Sequence, residues 1–252
     1  MTGILERTRS RFRDIVRREH LLGERVRVRV GPLTAEEAIG APERRDFPII
    51  IGKERVVEAE ILGSRGHAYT DSPRTFEGTL EQVLDLELTG NRERAVFVSV
   101  LNAVMAHLGL VTATVHCRDD EPERCAVEIA ARLHDRYGKV SVGLIGLNPA
   151  IAERLIDVFG EDRVLITDLA PDSVGKTRFG VEVRDGGTFT NELIDRSDLV
   201  LLTGTTLVNA TFDAIRSRIE TAGKTGIVYG VTAAGAENLM GFERMCPCGR
   251  DG

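Results

Sequence analysis

The chain has 252 residues, 42% hydrophobic and 29% charged, which is ordinary globular composition and enough apolar residue to bury a sizeable core. The net charge of −6 argues against general nucleic-acid affinity, and no apolar run approaches the 18 residues of a membrane span. With no signal-peptide pattern at the start, a cytoplasmic protein is expected, and its four cysteines read as thiols or metal ligands rather than structural disulfides.

Ile4, Leu5, Phe12, Ile15 and Val16 recur at helical spacing, so Thr2–His20 is predicted to be a helix. Residues 1–30 carry nine Arg against four acids; a solvated helix face is the favoured reading, a membrane or partner surface the other. Val26, Val28 and Val30 alternate with Arg25, Arg27 and Arg29 as in a half-exposed strand, which Gly31-Pro32 should end. Thr34-Ala-Glu-Glu37 has the form of a capping box. Phe47–Ile51, Val56–Leu62 and His67–Thr70 read as three short strands with turn signals at Gly52-Lys53 and Gly63-Ser64, an antiparallel meander. Helices follow over Thr79–Glu87 and Arg92–His107.

Past Leu110 the pattern changes. A polar segment holds His116, Cys117 and the acids Asp119, Asp120 and Glu121; a helix then runs from Pro122 to Tyr137. From Lys139 strand and helix alternate: strands at Val140–Ile145, Val164–Thr167, Val181–Arg184, Leu199–Thr203 and Gly226–Gly230, helices from near Pro149, Asn191 and Leu207. That is the punctuation of a parallel sheet of about five strands. The fold expected is α/β: a smaller α+β domain over residues 1–120, then a Rossmann-like, mostly parallel domain over residues 121–252.

Three groups of residues carry candidate chemistry. In Ser197–Phe212 a buried strand runs into a turn crowded with hydroxyls, Thr203, Gly204, Thr205 and Thr206, followed by Asn209. Ligands of open α/β sheets bind at such carboxyl ends, with Thr205 read also as an N-cap. Gly143, Gly146 and Asn148 close the first parallel strand, and Asp168 ends the second, where a Rossmann protein holds a ribose hydroxyl; a plain turn aspartate is the equal alternative. The glycines do not complete Gly-x-Gly-x-x-Gly, so no dinucleotide fingerprint is present. Asn102, polar in an apolar helix, needs a partner and is a candidate from the opposite wall, or else satisfies a backbone group.

The third group is the thiols: Cys117 and Cys125 beside His116, and Cys246 and Cys248 at the chain's end. Thiolate and imidazole suit soft and borderline transition metals, although the spacing is not Cys-x-x-Cys and cysteine often simply packs. His107 and His134 read as structural helix-end residues, His20 and His67 as surface residues.

The chain resembles the family named "putative heavy-metal chelation". The matching stretches are Phe97–Ala103, Gly143–Pro149, Thr167–Pro171, Asp198–Thr211 with its Thr-Gly-Thr-Thr-Leu-Val-Asn core, and Gly241–Gly249. The resemblance implies an enolase-N-terminal-like domain followed by a Rossmann-like domain, with a cleft lined by both, and carries over no catalytic residue. The function expected is metal handling, chelation or delivery of a soft or borderline ion by His116, Cys117, Cys125, Cys246 and Cys248, with a ligand site in the cleft. The alternative is an enzyme taking a nucleotide-type cofactor or small anionic substrate at the switch point; a non-catalytic anion sensor is a third. No nucleic-acid or membrane partner is expected, and the oligomeric state, a homodimer included, stays open.

Overall fold

The computed structural model describes residues 3–23, 27–52 and 54–252. Thr2, Arg25, Val26 and Lys53 of the sequence reading lie outside these. In chain order the first half holds α1 (Ile4–Arg18), β1 (Arg27–Leu33), α2 (Ala35–Ile39), α3 (Pro48–Ile51), β2 (Arg55–Ile61), β3 (Ser64–Thr70), β4 (Phe76–Thr79), α4 (Leu80–Leu84) and α5 (Asn91–His107). The second holds α6 (Glu121–Tyr137), β5 (Val142–Ile145), α7 (Pro149–Phe159), β6 (Val164–Asp168), β7 (Thr177–Arg178), β8 (Val181–Asp185), α8 (Gly186–Arg196), β9 (Leu199–Thr203), α9 (Thr205–Val208), α10 (Phe212–Thr221), β10 (Thr225–Tyr229), α11 (Ala234–Met240) and β11 (Arg244–Met245).

The strands form two separate sheets. One is antiparallel, ordered β3-β2-β1-β4; the other is mostly parallel, ordered β11-β10-β9-β5-β6-β8-β7, with β7 antiparallel at its edge. The five strands expected from the alternation form its middle, and the two missed ones, β7 and β11, are two residues each. The chain builds outward from β5 to β6 and β8, then returns to place β9 on β5's other side. The order therefore reverses between β5 and β9, and a crevice is expected above their carboxyl ends.

Helix α5 joins the layers. Its residues from Ala95 to Met105 are all buried, the pattern of a helix covered on every side. It lies on β2 and β3 and meets α9, α11 and the 3-10 turn Val231–Ala233 on its other flank. Phe12 of α1 packs edge-on against Phe97 of α5, with ring centroids 6.1 Å apart. On α1, Arg9, Arg11 and Arg13 donate to the carbonyls of Leu86, Leu239 and Leu84, so much of this basic face clamps neighbouring chain. Among the described residues no helix is long and apolar enough to cross a membrane.

Several local expectations are corrected. Phe47–Ile51 is not a strand: Pro48 takes the first position of the single helical turn α3, where its missing N–H costs nothing. β1 does not end at Gly31-Pro32 but pairs with β2 as far as Leu33. Phe76–Thr79 is a fourth strand against β1. Helix α8 starts at Gly186, before Asn191. The capping boxes of α2 (Thr34, Glu37) and α4 (Thr79, Gln82) are both formed.

Candidate functional site

A cavity of about 1010 Å³ opens where the reversal of strand order places a crevice. Its floor is the carboxyl ends of β5, β6, β9 and β10; Tyr69 and Asp71, at the end of β3, face it from the antiparallel sheet. Arg44, ahead of α3, binds Glu123 of α6 and Glu153 of α7 and so ties this wall together.

The turn after β9 is built from its own hydroxyls. Thr206 Oγ1 donates to the Thr203 carbonyl at 2.6 Å, and Thr203 and Thr205 share a hydroxyl contact at 3.2 Å. Asn209 Oδ1 accepts from the backbone and hydroxyl of Thr211. Thr203, Gly204, Thr205, Thr206 and Asn209 all line the cavity. The N-cap is Gly204, not Thr205, and the helix behind the turn is the single turn α9; the chain breaks at Ala210, φ +63°, before α10. The turn therefore offers hydroxyl and amide groups rather than the dipole of a long helix.

Gly146 sits at the reversal point with φ +87°; a Cβ there would come within 2.6 Å of Thr203 Cγ2. Its carbonyl accepts from Tyr229 Oη at 2.8 Å, fastening β5 to β10 across β9. Asn148 caps α7 by accepting from Ile151 N and also lines the cavity. Asp168 accepts from Leu147 N at 2.6 Å and Ala170 N at 2.7 Å. Burial raises its carboxyl above the usual range while these backbone donors pull it down. Glu54, just before β2, reaches the same space; burial first, then Asp168 and Asp71, push it up to about 7.

Two sequence candidates stand elsewhere. Asn102 is fully buried: Nδ2 donates to the carbonyls of His67, Val231 and Thr232, and Oδ1 accepts from Gly235 N. It holds α5, β3 and α11 together and is not part of the cavity wall, because its polar atoms are spent on backbone. At Gly143 a Cβ would meet Leu193 Cδ2 at 2.3 Å and Ser197 Oγ at 2.7 Å, so this glycine makes room for α8, not for a ligand.

The C-terminal tail folds back over the linker before α6. Arg250 and Val115 exchange backbone hydrogen bonds of 2.8 and 2.9 Å, and Ala113 N donates to Asp251. This brings the thiols together. Cys125 is pushed up to about 12, first by its hydrogen bond with Cys117, and Cys246 is raised by its hydrogen bond with Cys125 and by burial. Burial also raises Cys248. All four are free thiols. His116, Cys117, Cys125 and Cys246 line the cavity; Cys248 packs behind them.

His116 Nδ1 lies 2.6 Å from the Cys117 carbonyl, which fixes the proton on Nδ1 and leaves the Nε2 lone pair open, the tautomer of a metal-ligating imidazole. Burial lowers its pKa and keeps it neutral. His67, read from sequence as a surface residue, is instead buried at 1% exposure. Its Nε2 meets Glu58 Oε2 at 2.8 Å and its Nδ1 accepts the His116 backbone N–H at 3.2 Å. It positions the linker, and only its even spacing with Tyr69 on one strand could have hinted at that.

Residues 130–241 match the model of the DUF364 family, described as "putative heavy-metal chelation". Over these residues the resemblance read from the sequence holds; Phe97–Ala103 and most of Gly241–Gly249 lie outside the match. The chain is also similar to two solved structures of DUF364 proteins of unknown function. One, from Pyrococcus horikoshii, is 14% identical, covers 91% of this chain and 80% of its own, with a TM-score of 0.51. The other, from Desulfitobacterium hafniense, is 14% identical over 74% of this chain and 72% of its own, with a TM-score of 0.48. At that identity the first likeness speaks for the fold alone. No curated protein matches the sequence.

Proposed function

We propose that this protein handles a soft or borderline transition-metal ion, taken up by Cys117, Cys125, Cys246 and His116, with Cys248 as a further thiol. The observation that carries the reading is the meeting of linker and tail thiols at Cys125, on the wall of a large cavity. The family's printed description points the same way.

The donor set suits such an ion: polarisable sulfur, a neutral imidazole with an open Nε2, and an acidic setting. Among the described residues no group of three or more His, Cys, Asp or Glu side chains is arranged to hold a metal ion. Binding therefore requires the thiols to lose their protons and draw together. The segment that carries Cys246 and Cys248, joined to the linker through Val115 and Ala113, is the element whose shift toward Cys125 would do this. The bound ion would supply Lewis acidity at the edge of the cavity; the chain's own part is to present thiolates, orient His116 through His67 and exclude water. A ligand in the cavity would sit between this cluster and the Thr203–Asn209 turn.

The test is titration of reduced protein with zinc or cobalt, repeated on Cys125→Ser and on Cys246→Ser. Cobalt–thiolate absorption that disappears in both variants supports the reading; unchanged affinity in both removes it.

A further inference from the structure

The two loops that meet at the reversal of strand order each carry an asparagine whose carboxamide is half used. Asn148, after β5, accepts Ile151 N at 3.1 Å through Oδ1. Asn209, after β9, accepts Thr211 N at 3.1 Å and the Thr211 hydroxyl at 2.7 Å, again through Oδ1. A backbone N–H can be received only by the amide oxygen, so these bonds fix both carboxamides with Nδ2 at the free end. Neither Nδ2 has a hydrogen-bond partner among the described residues, and neither is sealed inside the protein. Both residues line the cavity.

Two hydroxyls on the cavity wall are in the same position. Thr203 Oγ1 donates to Thr205 Oγ1 at 3.2 Å, which leaves the Thr205 proton without an acceptor. Tyr69 Oη has no partner among the described residues and is not sealed either; its ring stands edge-on to His116, with centroids 5.5 Å apart. The loops after β5 and β9 abut, since a Cβ on Gly146 would come within 2.6 Å of Thr203 Cγ2. Unspent donors therefore stand on both sides of one seam.

A ligand that covers such donors leaves them unsatisfied unless it brings acceptors of its own. Residues 146–148 and 204–211 contain no Lys or Arg. Lys176 and Arg178 also line the cavity but belong to β7 and the residue before it, with β8 and β6 between them and β5. Asp168 stands against the seam, accepting Leu147 N at 2.6 Å. An anion there would face a carboxylate with no cation beside it, so the matching acceptor is an uncharged oxygen. Phe47, Ile49, Leu147 and Ile151 line the same cavity and share one apolar cluster, which suits an apolar body behind that oxygen.

We propose that the cavity binds an uncharged organic molecule with an apolar body, whose carbonyl oxygens are held by Asn148 Nδ2 and Asn209 Nδ2, with Thr205 and Tyr69 as further donors. This rests on the cavity and needs no bound metal.

The experiment is a nuclear magnetic resonance titration of the reduced, full-length, nitrogen-15-labelled chain, with chelator present. The probes share one chain and differ in the head: hexanamide, hexanoate and hexylammonium. Hexanamide shifts the Nδ2 resonances of Asn148 and Asn209 and binds at least about tenfold more tightly than either charged probe. Asn148→Asp and Asn209→Asp keep the oxygen that receives the backbone N–H and lose the amino group. Each weakens hexanamide by about tenfold while thermal melting stays near that of the parent. Tyr69→Phe changes no charge, keeps the ring against His116 and weakens hexanamide by about threefold, so it carries the test if an Asp variant does not fold. Zinc affinity, measured separately without chelator, is unchanged in Asn209→Asp, so failure of the metal reading and failure of this one are distinguishable. No shift with hexanamide up to about 10 mM, tighter binding of hexanoate or hexylammonium, or parental affinity in either folded Asp variant or in Tyr69→Phe overturns the proposal.

Discussion

Cys125 on α6 and Cys246 on the C-terminal tail line the same cavity, and each thiol shifts the proton affinity of the other. Cys117 raises Cys125, and Cys125 in turn raises Cys246, so each sulfur must lose a firmly held proton before it can act as nucleophile or ligand. Cys125, raised to about 12, should therefore alkylate at least about a hundredfold more slowly than an ordinary thiol at mildly alkaline pH. Mass spectrometry of iodoacetamide-labelled peptides over time reads this. Cys125→Ser should quicken labelling of Cys246, whose raised pKa depends first on Cys125. Labelling of Cys125 at the free-thiol rate would show that its neighbours do not hold it protonated.

Metal affinity should fall as the solution is acidified, since each thiolate ligand must first give up a proton. The folded apo-protein runs the other way at high pH. Its thiols have folded-state pKa values above the ordinary 9.0, so their contribution to stability is present below about pH 9 and is lost as pH rises toward about 12. Urea midpoints measured on reduced protein from neutral to alkaline pH check the sign; a rise with pH would refute it.

Glu54 gives a similar slope near neutrality. Its carboxyl lies at about 7 when folded against 4.5 ordinarily, so its contribution is complete below about pH 4.5 and is lost as pH rises through 7. Glu54→Gln, which cannot ionise, should be more stable than the parent by roughly 1–3 kcal/mol at mildly alkaline pH and nearly equal at acidic pH. Denaturant titrations of both proteins at the two pH values measure the difference. Equal gaps at both pH values would show that Glu54 is not buried beside Asp168 and Asp71.

Asn102→Ala should cost roughly 3–5 kcal/mol, because it leaves three carbonyls and the Gly235 N–H without their partner inside a closed core. The measurement is the shift of the denaturation midpoint. A loss under about 1 kcal/mol would mean that these backbone groups find other partners.

Gly146→Ala places a methyl group against Thr203 at a residue of φ +87°, so both strain and overlap oppose it. A loss of about 2–3 kcal/mol is expected, read as the shift of the denaturation midpoint. Full retention of stability would show that β5 and β9 can separate at their carboxyl ends without cost.

Much of the fold is legible along the chain because its signals are local. The apolar stripe of α1, the capping box at Thr34 and Glu37, the Asn148-Pro149 helix start and the run Leu199–Thr203 each state their structure within a few residues. So does the strand–helix alternation that yields the parallel sheet. Pro48-Ile-Ile-Ile51 is ambiguous in the same local terms, since four apolar residues fit a buried strand or one helical turn. Tertiary structure decided the rest. Asn102 looks like a ligand group until His67, Val231, Thr232 and Gly235 arrive from distant segments to consume its polar atoms. His67 looks exposed until Glu58 and the His116 backbone bury it between them. Glu54 carries no motif at all, and its charge is set by burial, by Asp168, which reaches it only when the two sheets come together, and by Asp71 across the β2–β3 hairpin. Periodicity and capping act over a few residues, whereas burial and electrostatic coupling depend on distances in space that the order of residues does not contain.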